Sequence, residues 1–273
     1  MSAGEIVYKT AEEAELIRVS SLLVGKTLAE VAGYIKPGIS TAELDKIAET
    51  FIRDHGAEPS FKGYHGYKNS LCISINEEVV HGIPGSRIIQ DADVVSVDCG
   101  VFMNGFHGDS AYTFPVGVVN ETVLKLLRVT KTSLHKGIEK AKNGNRVGDI
   151  SAAVQDYAES NGYGVVRELV GHGIGRRLHE KPEVPNYGKK GSGPMLKKGM
   201  TIAIEPMVNM GGRQIKQLKD GWTIITSDKL PAAHFEHTIL ITDSEAEVLS
   251  SYKEIEIAIS KNNNITGIIE TLI

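Results

Sequence analysis

Four acidic residues of this 273-residue chain stand where strand sequences disfavour them. Asp98 follows the apolar run DVVSV, Asp109 follows FHG, Glu205 ends TIAI, and Glu236 opens onto the β-branched run HTILIT. Strand interiors disfavour Asp, and a buried carboxylate is costly unless it is paired or bound to metal. Taken singly, each acid is more simply a solvent-facing or ion-paired side chain. Their number carries the argument, because none has an obvious basic partner nearby in sequence. His172 joins them from the glycine-flanked stretch VGHGIG. Four carboxylates carry four negative charges, which two divalent cations balance. Oxygen-rich ligation with one imidazole suits Mn, Fe, Co or Zn. A dinuclear centre accounts for all five residues at once.

Positioning these side chains requires particular elements. Val94–Val97 and Ala111–Phe114 flank Asn104-Gly105, a type I′ hairpin signal. With a two-residue turn there, Asp98 opposes Ala111, and Asp109 lies two residues along on the same face. Two carboxylates about 7–8 Å apart or less on one sheet face repel unless something cationic lies between them. Gly199–Glu205 alternates Met200, Ile202 and Ile204 against polar or small residues, and Phe235–Thr242 reads as a further strand.

Helices precede the strands in both halves of the chain. Thr10 and Glu13 form a capping box ahead of a helix with Leu16, Val19, Leu23 and Leu28, stopped by Pro37-Gly38. Ser40 and Glu43 open a second helix that runs to Gly56. Another begins near Asn120 and ends at Asn143-Gly144, and a fourth spans about Val147 to Ser160 before Asn161-Gly162. An offset of 106 residues lays Gly38 on Gly144, Glu43 on Asp149, Leu44 on Ile150, Phe51 on Tyr157 and Gly56 on Gly162. Beyond them, His65 of YHGY falls beside His172. The matched stop signals predict a duplicated helix–helix–strand unit, with halves at about 10–119 and 120–250. Two such halves around one sheet bring residues from both into a central cleft, a usual place for a ligand. No linker separates them, so a single domain over 1–273 is expected.

Composition narrows the class. With 41% hydrophobic and 23% charged residues the chain reads as globular, and 30 Lys+Arg against 34 Asp+Glu gives a formal charge of −4. That balance offers no electrostatic footprint for nucleic acid or an anionic membrane. No apolar stretch reaches the ~18 residues of a membrane span. MSAGEIVYKT lacks a signal-peptide pattern, and two cysteines, Cys72 and Cys99, exclude a disulfide framework; a cytoplasmic location follows.

Five motifs then bring a specific resemblance: NSLCISINEEVVHGIP, DVVSVDCG with FHGDSAYTF, VGHGIGRRLHEKPEVPNYG, GMTIAIEPM and FEHTILIT. In order and over roughly Thr10 to Thr242, the chain resembles the methionine aminopeptidases of the shorter, bacterial (type I) class. The resemblance implies an α+β pita-bread fold, with two pseudo-symmetric halves around a central antiparallel sheet. It implies Asp98, Asp109, His172, Glu205 and Glu236 as ligands of two divalent ions (Co, Mn, Fe or Zn), with Asp109 and Glu236 bridging. Two metals ~3.5–4 Å apart hold a water between them and bring its pKa toward ~7, giving a nucleophile without Ser or Cys. No G-x-S-x-G elbow or thiol-protease cysteine is present, consistent with that chemistry.

The same resemblance gives His179 the carbonyl oxygen or its developing charge, His81 the scissile amide, and Glu205 a proton-shuttling role beside ligation. Tyr64, Tyr67, Cys72 and Trp222 match positions lining a pocket for the methionine side chain, whose sulfur packs well against aromatic edges. Phe61 and Leu178 depart from the family pattern, Phe61 standing where some members have Cys and Leu178 where Phe is common. The other six histidines (55, 65, 107, 135, 234 and 237) read as structural or solvated. Implied partners are the N-termini of nascent or deformylated polypeptides with a small second residue, the ribosome being their source. A monomer is implied, without membrane or specific nucleic-acid binding, and the chain's own Met1-Ser2 start fits the substrate rule. Competing readings are an Xaa-Pro peptidase of the same fold, a non-catalytic relative, and a metal-free creatinase-like hydrolase. The first commonly carries an additional N-terminal domain, and nothing precedes Thr10 here; the last two predict missing ligands.

Overall fold

The computed structural model describes residues 5–268, so the Met1-Ser2 start and the end of the C-terminal tail lie outside the described residues. Helix α1 (Ala11–Tyr34) begins at the expected capping box: the Thr10 hydroxyl accepts from the Glu13 N–H at 3.2 Å, and Glu13 Oε2 accepts from the Thr10 N–H at 3.1 Å. Helix α2 (Thr41–Asp54) repeats the device with Ser40 and Glu43. In the second half, Asn120 caps α3 (Glu121–Lys140), and α4 (Val147–Ser160) has the same 14-residue length as α2. The helix ends fall a little short of the glycine stops at Gly56 and Gly144. Leu16 and Val19 are only half-buried; the sealed residues of α1 are Ile17, Val24, Leu28 and Val31. That difference arises because α1 is covered on several sides, by α2, by the central hairpin and by a C-terminal helix.

After α2 the first half contributes β1 (Glu58–Pro59), β2 (Leu71–Ile75), β3 (Glu78–Val80), β4 (Val94–Met103) and β5 (Phe106–Pro115). Strands β4 and β5 form one unbroken antiparallel ladder from Val94 opposite Pro115 to Met103 opposite Phe106. The turn between them is Asn104-Gly105, with φ of 53° and 81°, the two positive values a type I′ turn needs. Asp98 opposes Ala111, as the turn position predicts. Both strands extend beyond the apolar runs that announced them.

The second half carries β6 (Gly164–Val165), β7 (Val170–Gly173), β8 (Glu180–Pro185), β9 (Thr201–Ile204) and β10 (Met207–Asn209). It continues through β11 (Ile215–Gln217), β12 (Ile224–Thr226), β13 (Ala232–His234), β14 (His237–Leu240), β15 (Glu247–Val248) and α5 (Lys253–Lys261). The long antiparallel pair of the first half reappears here broken in two. Strand β9 pairs with β14 and β10 with β13, in one continuous register that skips Glu205-Pro206 and Phe235-Glu236. The sequence predicted one strand ending at Glu205 and one over Phe235–Thr242; the interruptions fall at the acids themselves.

The two halves meet along β5 and the β13–β14 pair through hydroxyl groups. Ser110 Oγ donates to the Glu236 carbonyl at 2.6 Å, and Thr113 Oγ1 donates to the His234 carbonyl at 2.7 Å. Thr238 Oγ1 donates to the Asp109 carbonyl at 2.8 Å. One direct backbone bond, from the Glu236 N–H to the Ala111 carbonyl at 3.1 Å, completes the seam. On the outer face α1 lies close to β5: a Cβ on Gly108 would sit 2.4 Å from the Ser21 nitrogen. Ser20 Oγ donates to the Phe106 carbonyl at 3.0 Å. The hairpin that carries Asp98 and Asp109 is therefore clamped from behind. One apolar cluster runs through both halves, from Leu28 and Ile35 through Tyr112 and Phe114 to Ile150, Ile202 and Phe235. No described helix is long and apolar enough to cross a membrane.

The segment before α1 is tied to β8 by a buried ion pair, Lys9 Nζ to Glu180 Oε2 at 2.5 Å, with side-chain exposures of 2% and 3%. Glu180 Oε1 also accepts from the Arg177 N–H at 3.1 Å. Removing one partner leaves an uncompensated buried charge, which costs roughly 3–5 kcal/mol. Lys9→Met is expected to lower the unfolding free energy read from urea denaturation by about that amount, and Lys9→Met with Glu180→Gln to recover part of it. Equal midpoints for wild type and Lys9→Met would contradict the assignment.

Candidate active site

Each acid reaches the cleft for a local reason. Asp98 and Asp109 project from the same face of the β4–β5 ladder, Asp98 opposite Ala111 and Asp109 opposite Gly100. Glu205 and Glu236 occupy the paired breaks of the second half, where the register sets them across from each other. His172 lies on β7, which is hydrogen-bonded between β8 and β9. Its Nδ1 is 2.9 Å from the Gly173 carbonyl. A carbonyl only accepts, so Nδ1 carries the proton and Nε2 presents a lone pair to the cleft. Nε2 lies 3.6 Å from Glu205 Oε1 and 3.9 Å from Asp109 Oδ2.

The electrostatics of this cluster are unfavourable as it stands. Burial pushes Asp98 up to about 7. Burial first, and then the other carboxylates, push Asp109, Glu205 and Glu236 well above the usual carboxylate range. His172 is driven down to about 4 by burial, so its imidazole is neutral. Asp98 Oδ1, Asp109 Oδ1 and Glu236 Oε1 are sealed from solvent without a hydrogen-bond partner. Among the described residues, no Lys or Arg forms an ion pair with any of the four acids. Donor atoms of Asp109, His172 and Glu236 lie within 4.8 Å of one another. Unpartnered buried oxygens around a neutral imidazole fit divalent metal, which supplies the missing positive charge.

Beside the acids lies a cavity of about 140 Å³. Its walls are Phe61, Tyr64, Tyr67, Cys72, His81, Leu178, His179 and Trp222, with Asp98, Asp109, His172, Glu205 and Glu236 at one end. Every site residue singled out in the sequence therefore lines one space. Tyr67 is buried, its hydroxyl donating to the Leu71 carbonyl at 2.9 Å, and its ring meets Trp222 edge-on at 4.9 Å. His179 stands at the open mouth, its Nδ1 2.7 Å from the Tyr64 hydroxyl and its ring 4.3 Å from that of His172. Desolvation in the cleft, and then the neighbouring imidazoles, hold it below the ordinary histidine range. His81 has a φ of 60°, the left-handed region that a β-carbon disfavours, and burial lowers its pKa as well. Such a backbone persists only where its surroundings hold it.

His234 and His65 depart from the sequence reading, while His107 is structural, as that reading expects. His234, set there among the structural or solvated ones, is 2% exposed, with Nε2 3.8 Å from Glu205 Oε2 and no hydrogen-bond partner. It lies two residues before Glu236, on the same side of a nearly continuous strand pair, but nothing in the sequence marks that side as facing the acids. His107 Nδ1 bonds Ser60 Oγ at 2.9 Å, and burial takes it down to about 4. His65 is exposed on a single turn, Tyr64–Gly66, and is not the counterpart of His172. Strand β7 pairs with β9 as β2 pairs with β4, so the repeat relates His172 to β2. His55 is exposed at the end of α2, and His237 is bonded to Ser250 Oγ at 2.6 Å behind the site.

Comparison with known proteins accords with this geometry. The model of metallopeptidase family M24 matches residues 15–243. Methionine aminopeptidase 1 of Bacillus subtilis is 53% identical over 245 residues, which span 90% of this chain and 99% of that protein. The crystal structure of a methionine aminopeptidase from Thermotoga maritima superposes with a TM-score of 0.89 at 44% identity, covering 90% of this chain and 100% of that one. The prolidase of Pyrococcus furiosus shares the architecture at a TM-score of 0.75 and 25% identity, but this chain covers only 65% of it. The chain belongs to metallopeptidase family M24, on the branch formed by its methionine aminopeptidases.

Proposed function

We propose that this chain hydrolyses the first peptide bond of polypeptides that begin with methionine, using two divalent cations held by Asp98, Asp109, His172, Glu205 and Glu236. The observation that carries this reading is the single cavity in which the acids close one end and an aromatic, sulfur-compatible wall forms the rest. Co, Mn, Fe and Zn all suit the donor set. When bound, the cations supply a nucleophile at neutral pH and draw electron density from the scissile carbonyl. Asp109, His172 and Glu236, whose donor atoms lie within 4.8 Å of one another, would hold the cations most directly.

The protein's own side chains then act on the substrate. The methionine side chain enters between Tyr67, Trp222, Phe61, Cys72 and Leu178. Tyr64 donates its hydroxyl proton to His179 Nδ1, which leaves Nε2–H as a donor to the oxyanion that develops on the carbonyl. His81 contacts the scissile amide. Glu205, beside the reacting atoms, would shuttle a proton to the departing amine. The free α-amine of the substrate meets the carboxylate end, which makes the reaction exopeptidic. Substrates are the N-termini of nascent or deformylated chains with a small second residue, met in a reducing cytoplasm where Cys72 and Cys99 stay unpaired.

The direct test is hydrolysis of Met-Ala-Ser against an Ala-Pro peptide and N-formyl-Met-Ala-Ser. Only the first is expected to be cut; cleavage of the Ala-Pro peptide alone rejects the reading in favour of an Xaa-Pro peptidase. His179→Ala is expected to lower kcat by ~10²–10³ with metal retained, the cost of one oxyanion donor. An unchanged kcat contradicts the role given to it. Burial raises these carboxyl groups in the metal-free protein, so metal binding competes with protons for them. Mn²⁺ binding is therefore expected to release protons and to tighten from pH 5 to pH 8. Calorimetry at one pH in buffers of different ionisation enthalpy reads this directly, and identical heats in all buffers would refute it. In the same titration Asp109→Asn should bind less metal.

A further inference from the structure

Glu236 sits in a gap of the strand pairing, and the group that fills the gap comes from the C-terminal segment. Tyr252 lies beyond residue 243, where the family match ends. Its side chain is buried, and its hydroxyl accepts from the Glu236 N–H at 2.9 Å, sharing that proton with the Ala111 carbonyl at 3.1 Å. The same oxygen is 2.8 Å from the Ala111 carbonyl and 2.8 Å from the Glu236 carbonyl. One O–H donates to one of these carbonyls at a time, so the phenol both receives the amide proton of Glu236 and anchors a carbonyl beside it. Its ring stacks on His237 at 3.9 Å and meets Tyr112 edge-on at 4.9 Å.

The segment that delivers Tyr252 is itself fixed. Ile255 and Ile259 of α5 are buried, and Lys131 Nζ of α3 bonds Glu256 Oε1 at 2.8 Å. Asn262 Nδ2 donates to the carbonyls of Ala32 and Ile35, each at 2.8 Å, closing the end of α1 onto the end of α5. A helix from the first half and the broken strand of the second are thus held by one C-terminal strap.

We infer that Tyr252 is a positioning residue for the metal centre: its hydroxyl holds the Glu236 backbone where the strand ladder is interrupted, and so aims that carboxylate at the cations. This rests on the metal-site reading above. Groups that orient a ligand from behind typically change metal affinity ~10–100-fold when removed. Tyr252→Phe keeps the ring and deletes only the hydroxyl. In Mn²⁺ titration its Kd should rise ~10-fold or more, with KM for Met-Ala-Ser unchanged at saturating metal. Ile259→Ala, which loosens α5 without touching the hydroxyl, should leave the Mn²⁺ Kd near the wild-type value. Wild-type Mn²⁺ affinity in Tyr252→Phe, or equal weakening in Ile259→Ala, overturns the proposal. A wild-type protein that binds no Mn²⁺ would instead overturn the metal-site reading. Should the Phe variant not fold, hydrogen exchange of the Tyr252 hydroxyl in the wild type decides: its proton should exchange slowly, as one held on a buried carbonyl does, and exchange as fast as an exposed phenol's rejects the role.

Discussion

Four carboxyl groups packed at one end of a small cavity, with no lysine or arginine among them, are the constraint from which the rest of this structure follows. Burial and mutual repulsion drive their pKa values upward, and without compensation the cluster opposes folding in its ionised form. Nothing in a protein interior gains from such an arrangement unless positive charge is brought to it. The neutral imidazole of His172, turned by its bond to the Gly173 carbonyl, adds a lone pair and no charge. The centre is therefore a site that folding prepares at a cost and that cations repay.

A scaffold that holds repelling groups together has to be stiff where they are attached. In the first half that stiffness is an unbroken hairpin, braced by α1 across Gly108. In the second half the ladder is broken at Glu205 and Glu236, and the backbone groups freed by the break need other partners. Hydroxyls supply them: Ser110, Thr113, Thr238 and Tyr252 all bond main-chain atoms across the seam. Asn186 does the same for the Glu205 carbonyl at 2.9 Å. The two halves thus use the same topology with different fastenings.

Local signals made much of this legible. The capping boxes at Thr10 and Ser40 and the Asn104-Gly105 turn act within a few residues, so helix starts and the register of Asp98 against Ala111 could be read directly. The repeat was legible for the helices, since α2 and α4 have the same bounds at the 106-residue offset. It misled at His65, because the connection from helix to strand differs between the halves and a fixed offset no longer tracks the fold. His234 and the hydroxyl seam were hidden for another reason. A histidine or threonine in a strand has the same local character whether it faces a carboxylate or a solvent molecule, and only packing of distant strands decides. The motifs carried the pocket residues; composition and periodicity alone would have left Tyr67 and Trp222 as ordinary core.

Size and polarity together explain why such a centre removes one residue instead of cutting within a chain. An apolar cavity near 150 Å³ takes up a molecule the size of benzene, and the space here is about 140 Å³. A volume of that size matches one unbranched side chain. With cations in place, the carboxylate end would accept a free amine, whose lone pair can ligate, and not a capped nitrogen, whose lone pair is delocalised into the amide. The cavity would thus select the side chain and the cations the terminus, and a polypeptide satisfies both only at its first residue. Phe61 and Leu178 form part of the wall of this same space.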